Sequence, residues 1–235
     1  MTYTIIGRCA RTGRLGIGIT TFSLAVGGYC PSVLPDVGAL SSQAYANPEL
    51  RGLAVKLLEG GLSPGVVLQR LEEQDPDFRY RQVGIVGVGG GGSAWTGAET
   101  RPWAGHATGE DFVAMGNSLS GEATVEAMSF AFQRDPGLEL DERLLVALEA
   151  GRDAGGQSNL QGEHLTERSA GLMVITPGDL VPLDLRVDIH ERAVDELRRL
   201  HVVYSPYLPY NELRASDPPN TPAQDVWMRQ NITGD

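Results

Sequence analysis

Residues 2–23, TYTIIGRCARTGRLGIGITTFS, contain two apolar segments on either side of a short polar turn. Segments 3–10 and 15–23 have the composition of β-strands, and the turn Arg11-Thr12-Gly13-Arg14 between them is typical of a β-hairpin. Thr2 follows Met1 and stands at the head of the first strand. The sequence therefore predicts an antiparallel strand pair with a hydroxyl group at its beginning.

The rest of the chain continues in runs of strands and pairs of helices. Two helices are marked by Asn47-Pro48 and Ser63-Pro64, which supply an N-cap and a proline in the first turn. Further strands are predicted at 39–44, 81–88, 93–97, 112–116, 169–175 and 183–189, and further helices at 121–133, 141–152 and 191–201. This order is not βαβ alternation, so it argues against a parallel sheet. We predict an α+β fold in which two antiparallel sheets pack face to face and helix pairs cover both outer faces.

Composition limits the possible function classes. The chain has 235 residues, 41% of them hydrophobic, which is enough for a sizeable core. A formal net charge of −11 argues against binding to nucleic acid or to anionic membranes. No apolar run is long enough to span a bilayer, and no basic and apolar leader precedes the first strand. These features predict a cytoplasmic protein, in which Cys9 and Cys30 are free thiols.

We predict one domain over residues 1–203 and an extended tail over residues 204–235. The tail is rich in proline and tyrosine and has no clear periodicity. Such a segment suits packing along a neighbouring copy, so we expect a homo-oligomer.

Two motifs for cofactors or metals are rejected. Gly87–Gly92 formally matches the dinucleotide fingerprint, but it runs into an apparent strand and not into a helix that would hold a pyrophosphate. The interpretation that remains is a hairpin connection. The four histidines show no metal-ligand spacing. The sequence therefore predicts neither a cofactor nor a metal ion.

Polar residues at strand ends and in loops are the candidates for chemistry. Gln43 and Asn117 could donate hydrogen bonds to a developing oxyanion, and ordinary turn and cap chemistry is the alternative, which explains Asn117 equally well. Trp103 and His106 share a loop, PWAGH, which either contacts a substrate or is simply exposed. Arg168 precedes an apolar strand, where it binds a substrate carboxylate or pairs at the strand end.

Several stretches together resemble one family, the domain of unknown function 1028, placed in the N-terminal nucleophile (Ntn) hydrolase superfamily. They are TYTIIGRCARTGRLGIGI, SSQAYANPELRGLAVKLLEGGLS, RQVGIVG, AWTGAETRPWAGHATGEDFVAMGN, RSAGLMVI and LDLRVDIHERAVDELRRL, within residues 2–200. This chain departs from the family in two places. It begins TYT where members often begin TFS, and it has Thr100 where members often have cysteine.

The resemblance implies a four-layer αββα sandwich and a chemistry that uses the first residue of the mature chain. Thr2 would become the nucleophile after removal of Met1, with its own α-amine as the base. Asn117 and Gln43 would be oxyanion or positioning groups, and Trp103, His106 and Arg168 would line the pocket. The expected reaction is hydrolysis of an amide bond in a small-molecule substrate. The alternative is a catalytically silent ligand-binding or assembly protein on the same fold.

Overall fold

The computed structural model describes residues 1–233 and contains a six-stranded antiparallel sheet built around the predicted hairpin. Its central strands are β1 (Thr2–Arg8) and β2 (Leu15–Thr21), which pair along their whole length. The order β12-β11-β2-β1-β8-β7 places β1 between β2 and β8. The bounds of the other members are Ala104–Thr108 (β7), Phe112–Asn117 (β8), Ser169–Ile175 (β11) and Leu183–Val187 (β12).

A second antiparallel sheet has four strands in the order β3-β4-β5-β6. Their bounds are Pro31–Leu34 (β3), Gly38–Ala44 (β4), Arg81–Gly87 (β5) and Gly90–Thr96 (β6). The glycine run covers the end of β5, the turn and the start of β6, where Gly90 and Gly91 have φ of +90° and +82°. Because β5 and β6 pair antiparallel, the hairpin interpretation is confirmed. A small two-stranded sheet joins Gln157–Ser158 (β9) to His164–Leu165 (β10).

Seven α-helices accompany the sheets within residues 1–233. They are Pro48–Glu59 (α1), Pro64–Gln74 (α2), Ala123–Arg134 (α3), Leu140–Asp153 (α4), Ala193–Tyr204 (α5), Leu208–Ser216 (α6) and Gln224–Met228 (α7). Asn47 caps α1, because its side chain accepts a hydrogen bond of 3.0 Å from the backbone N–H of Glu49. No helix within these residues is long and apolar enough to cross a membrane.

The core consists of separate apolar clusters on the faces of the sheets. Helices α3 and α4 pack on the six-stranded sheet and α1 and α2 on the four-stranded sheet. A further cluster joins side chains of both sheets, among them Ile6, Ile17, Val86 and Met115. The fold is therefore α+β, with antiparallel sheets and helices.

The sequence prediction was wrong in two respects. Strands β3 and β7 are absent from the predicted strands, and β7 was expected to be part of a loop. Both lie at sheet edges, are short and are only partly buried, so they lack the continuous apolar pattern of the central strands. The tail was expected to be extended, but Leu208–Ser216 is helical. The Tyr210 ring packs on Trp227 at 5.1 Å between centroids, and its hydroxyl donates to the Pro222 carbonyl, so the tail folds on itself.

Candidate active site

The start of β1 lies between the ends of two other strands, and this brings three polar side chains into one row. Thr2 is directly opposite Thr21 of β2 and directly opposite Asn117 of β8. Residues directly opposite each other in antiparallel strands project from the same face of the sheet. All three residues are buried, and Thr2 is only 6% exposed. The sheet register therefore assembles a polar row of Thr21, Thr2 and Asn117.

Two hydroxyl groups in this row are connected to the peptide bond that precedes Thr2. The Thr2 hydroxyl donates to Oγ1 of Thr21 at 3.2 Å, and the Thr21 hydroxyl donates to the carbonyl oxygen of Met1. The backbone N–H of Ser23 also donates to Thr21 Oγ1, at 3.2 Å. The Thr21 hydroxyl is thus held next to both the Thr2 side chain and the Met1–Thr2 bond.

Two cavities meet at Met1. One has a volume of about 190 Å³ and is lined by Met1, Ser23, Ala44, Tyr45, Arg101 and Asn117. The other has a volume of about 240 Å³ and is lined by Met1, Arg101, Pro102, Ser118, Ser158, Asn159, Leu160, Gln161 and Leu165. Met1 and Arg101 belong to both walls, whereas Thr2 belongs to neither. With Met1 in place, the Thr2 hydroxyl is therefore kept away from both cavities.

The α-amino group of Met1 lies in an environment that disfavours its charge. Burial and, to a smaller extent, the nearby Arg101 guanidinium lower the pKa of this amine from 8.0 to about 6. Arg101 is exposed and forms no salt bridge within residues 1–233. The cavities therefore border on a cation without a partner.

The cavity walls contain two residues in a backbone conformation that is unfavourable for them. Ala44 and Ser118 have φ of +68° and +52°, in the left-handed region that costs an L-residue about 1–2 kcal/mol. The Ser118 hydroxyl is buried and has no hydrogen-bond partner among the described residues. Residues held in such conformations concentrate at functional sites. The backbone strain at Ala44 and Ser118 and the unpaired Ser118 hydroxyl both indicate that the walls of these two cavities form a functional site.

A buried network of amide side chains holds Asn117. Gln82 is its centre: its Oε1 accepts from Gln43 Nε2 at 2.9 Å and from Asn117 Nδ2 at 3.0 Å. Its Nε2 donates to the carbonyl of Gly116 at 2.8 Å and to Thr96 Oγ1 at 2.9 Å. Gln82 was not singled out in the sequence, although a glutamine within an otherwise apolar strand is a signal for a buried polar contact.

Gln43, a predicted catalytic residue, is fully buried and lines neither cavity. Its Oε1 accepts from the hydroxyls of Thr4 at 2.6 Å and Ser41 at 3.2 Å, and its Nε2 is bound to Gln82. All of its hydrogen-bonding groups therefore have protein partners. Gln43 is therefore connected to Asn117 through Gln82.

The three predicted pocket residues lie around the site and not in the walls of these two cavities. Trp103 packs over Gly105 and against the core beneath α3 and α4. His106 lies on β7, where Nδ1 is 2.8 Å from Thr96 Oγ1 and desolvation lowers the pKa of the imidazole. Arg168 is next to Thr21, to whose carbonyl its backbone N–H donates, but its guanidinium lies over the Phe22 ring.

The comparisons with known proteins agree with the architecture. The sequence matches the family of unknown function DUF1028 over residues 2–197. A crystal structure of a DUF1028 protein from Silicibacter pomeroyi aligns with a TM-score of 0.79 and 28% identity, covering 87% of this chain and 89% of that chain. No curated protein matches the sequence.

Two structures of Anbu show a weaker likeness. Anbu (ancestral beta-subunit) from Yersinia bercovieri aligns with a TM-score of 0.41 and 13% identity over 86% of this chain and 96% of that chain. An Anbu Gly-1 mutant from Hyphomicrobium sp. strain MC1 aligns with a TM-score of 0.41 and 12% identity, covering 90% of this chain and 96% of that chain. Likeness at this level carries no argument about the present chain.

Proposed function

The chain belongs to the DUF1028 family, and from that premise we propose that it is an Ntn-type hydrolase that cleaves an amide bond of a small substrate. Thr2 is the nucleophile, and removal of Met1 activates it. The observation that carries this proposal is the position of Met1, which separates a buried, hydrogen-bonded Thr2 hydroxyl from two cavities. One cleavage would free an amine on Thr2 and enlarge the space in front of its hydroxyl.

The proposed fold is the four-layer αββα sandwich of the Ntn superfamily. It is supported by the apolar cluster that joins side chains of both sheets, including Ile17 and Val86. It is also supported by the packing of α1 and α2 on one sheet and of α3 and α4 on the other. In this arrangement the end of the space between the sheets is the place where β1 begins.

The chemistry follows from a free α-amine on Thr2. A threonine hydroxyl is a weak nucleophile without a base, and the α-amine has a pKa near 7.7–8.0, so an appreciable fraction is neutral at pH 7. The amine takes the hydroxyl proton while Oγ1 attacks the amide carbon. The C–N bond then breaks, and the leaving amine takes that proton. Water next attacks the ester on Thr2 Oγ1, releasing the carboxylic acid and restoring the hydroxyl.

Thr21 has the position of the residue that orients the amine. Its hydroxyl now donates to the Met1 carbonyl, which is bonded directly to the nitrogen of Thr2. Removal of Met1 takes away this acceptor and leaves an α-amine next to the same oxygen. Thr21 Oγ1 can then accept one N–H of that amine as a positioning residue, which keeps the nitrogen lone pair free to take the Thr2 hydroxyl proton.

Ser118 and Asn117 are the candidates for stabilising the oxyanion. Asn117 Nδ2 already donates to Gln82, so it would have to share or leave that bond. Ser118 lines a cavity, and its buried hydroxyl has no partner among the described residues, so it can turn to donate without breaking a contact. We therefore assign the direct contact to Ser118 and the positioning of the wall to Asn117.

The test begins with the intact mass of the purified protein and proceeds to a panel of small amides. We expect a chain lighter by one methionine, with turnover that Thr2→Ala abolishes and Thr2→Ser partly retains. Thr20→Ala is the matched control, because Thr20 is also buried and donates to the Ser169 carbonyl on the opposite face of the sheet. Turnover that survives Thr2→Ala would disprove the mechanism.

A binding protein without catalytic activity is the second candidate. It is favoured by the fact that both cavities exist while Met1 is in place and bound through its carbonyl to Thr21. The mass measurement separates the two: a folded, purified chain that retains Met1 has no free Thr2 amine and fits the binding protein.

A further inference from the structure

We infer that the substrate of this site is an N-acyl amino acid or a similar amide, whose carboxylate is bound by Arg101. This inference rests on the proposed function, since it identifies what the same site would cleave. It follows from the contacts of Met1, the composition of the cavity walls and the exposed apolar residues at their edge.

Met1 marks the space that a substrate would enter. Met1 lines both cavities together with Arg101, and its carbonyl is held by the Thr21 hydroxyl. Its ammonium group lies close enough to Arg101 for the two positive charges to disfavour each other. A ligand with a negative charge in the same place would turn that repulsion into attraction. The environment of Met1 therefore favours a ligand of the opposite charge.

The described walls contain no carboxylate that would compete for Arg101. Among the described residues that line the two cavities there is no aspartate or glutamate, and Arg101 has no salt-bridge partner. The chain as a whole has 30 acidic and 19 basic residues, yet no carboxylate lies beside Arg101 in the walls of these two cavities. A guanidinium binds a carboxylate through two parallel hydrogen bonds, which also fixes its orientation.

The edge of the site is apolar. Tyr45 lines the first cavity and is 47% exposed, while Leu160 lines the second and is 75% exposed. Exposed apolar side chains next to a polar cavity can cover an apolar part of a ligand. Together with Arg101 they fit an amide that carries both a carboxylate and an apolar side chain.

The experiment compares two probes, N-acetyl-L-leucine and its neutral carboxamide, N-acetyl-L-leucinamide. Binding is measured by calorimetry on the Met1-free Thr2→Ala protein, so that turnover does not interfere. A hydrogen-bonded charge pair contributes about 1.5–3 kcal/mol, so we expect the acid to bind about ten- to a hundredfold more tightly. Arg101→Gln should abolish this preference, Arg101→Lys should keep part of it, and Arg70→Gln, at an exposed site on α2, should leave it unchanged.

The outcomes separate this inference from the proposed function. Equal binding of both probes, or binding of neither at millimolar concentration, would overturn the inference. Thr2-dependent turnover of neutral amides that is insensitive to Arg101→Gln would also overturn it, while the hydrolase mechanism would stand. Arg101-dependent binding of the acid without any Thr2-dependent turnover would support the anion site and remove the hydrolase.

Discussion

Replacing Gln82 by leucine should destabilise the protein strongly, because this residue satisfies two other buried amides. Leucine has nearly the same size but cannot accept the hydrogen bonds from Gln43 and Asn117, which are 0% and 1% exposed. A buried donor left without a partner costs about 1–3 kcal/mol. Two such donors give an expected loss of about 2–6 kcal/mol, a large part of the 5–15 kcal/mol that stabilises a typical domain.

The assay is urea unfolding followed by circular dichroism, with Gln133→Leu as the matched control. Gln133 is exposed on α3, where its amide donates to the Ser129 carbonyl of the same helix. The same substitution there should change the free energy of unfolding by no more than about 0.5 kcal/mol. The combination of Gln43→Leu with Gln82→Leu should cost less than the sum of the two single variants, since they share a hydrogen bond.

One result would refute this reasoning: a loss of less than about 1 kcal/mol for Gln82→Leu with an unchanged slope in urea. The amides of Gln43 and Asn117 would then have found other partners, and the network would not be holding Asn117 in the cavity wall. A large loss with additive single variants would instead place the effect outside the Gln43–Gln82 contact.

Three further predictions concern the site itself. Thr21→Val should lower kcat for amide hydrolysis with little change in KM, because the valine keeps the shape but cannot orient the Thr2 amine; an unchanged kcat would exclude the positioning role. Ser118→Gly should relieve the strain at φ +52° and leave the protein at least as stable in urea unfolding. Initial rates of turnover should fall about a hundredfold or more, because a donor to the oxyanion is lost. Turnover equal to wild type would show that the hydroxyl has no such role. In protein that retains Met1, the pKa of the α-amine is lowered to about 6, so the unfolded state binds more protons than the folded state between pH 6 and 8. The free energy of unfolding should therefore rise by about 2–3 kcal/mol as the pH increases through that window. N-terminal acetylation should remove this increase, and equal pH profiles for the acetylated and free forms would contradict the prediction.

Much of the fold can be predicted from the sequence where local patterns are strong. The family resemblance and the β1–β2 hairpin are confirmed. In the β1–β2 hairpin Thr2 is paired with Thr21. This pairing could have been predicted from the strand pattern and the position of the turn at residues 11–14. Strands β3 and β7 escape such analysis, since edge strands need less apolar content than central ones.

The site is harder to predict because it depends on contacts between residues that are distant in sequence. Arg101 lies between Thr100 and Pro102 in what looks like an ordinary loop, and nothing nearby in the sequence indicates its closeness to Met1. Arg168 is a plausible carboxylate ligand by sequence, but its guanidinium is placed over Phe22. The sequence left open whether Asn117 contacts a substrate or serves an ordinary turn. Its Nδ2 is bound to Gln82, and its role toward a substrate stays a prediction.

The position of β1 inside its sheet has a consequence for the order of events during synthesis. The hairpin partner β2 follows β1 within a few residues, but the other neighbour, β8, is more than a hundred residues further along the chain. Pairing of such distant segments is slow, because a long loop has to be closed first. The wall in front of Met1 also includes Ser158 and Leu165, which leave the ribosome later still. We therefore expect the Met1–Thr2 peptide bond to stay open to an aminopeptidase until the chain has grown past β8, and to be fully enclosed only after Leu165 has been added.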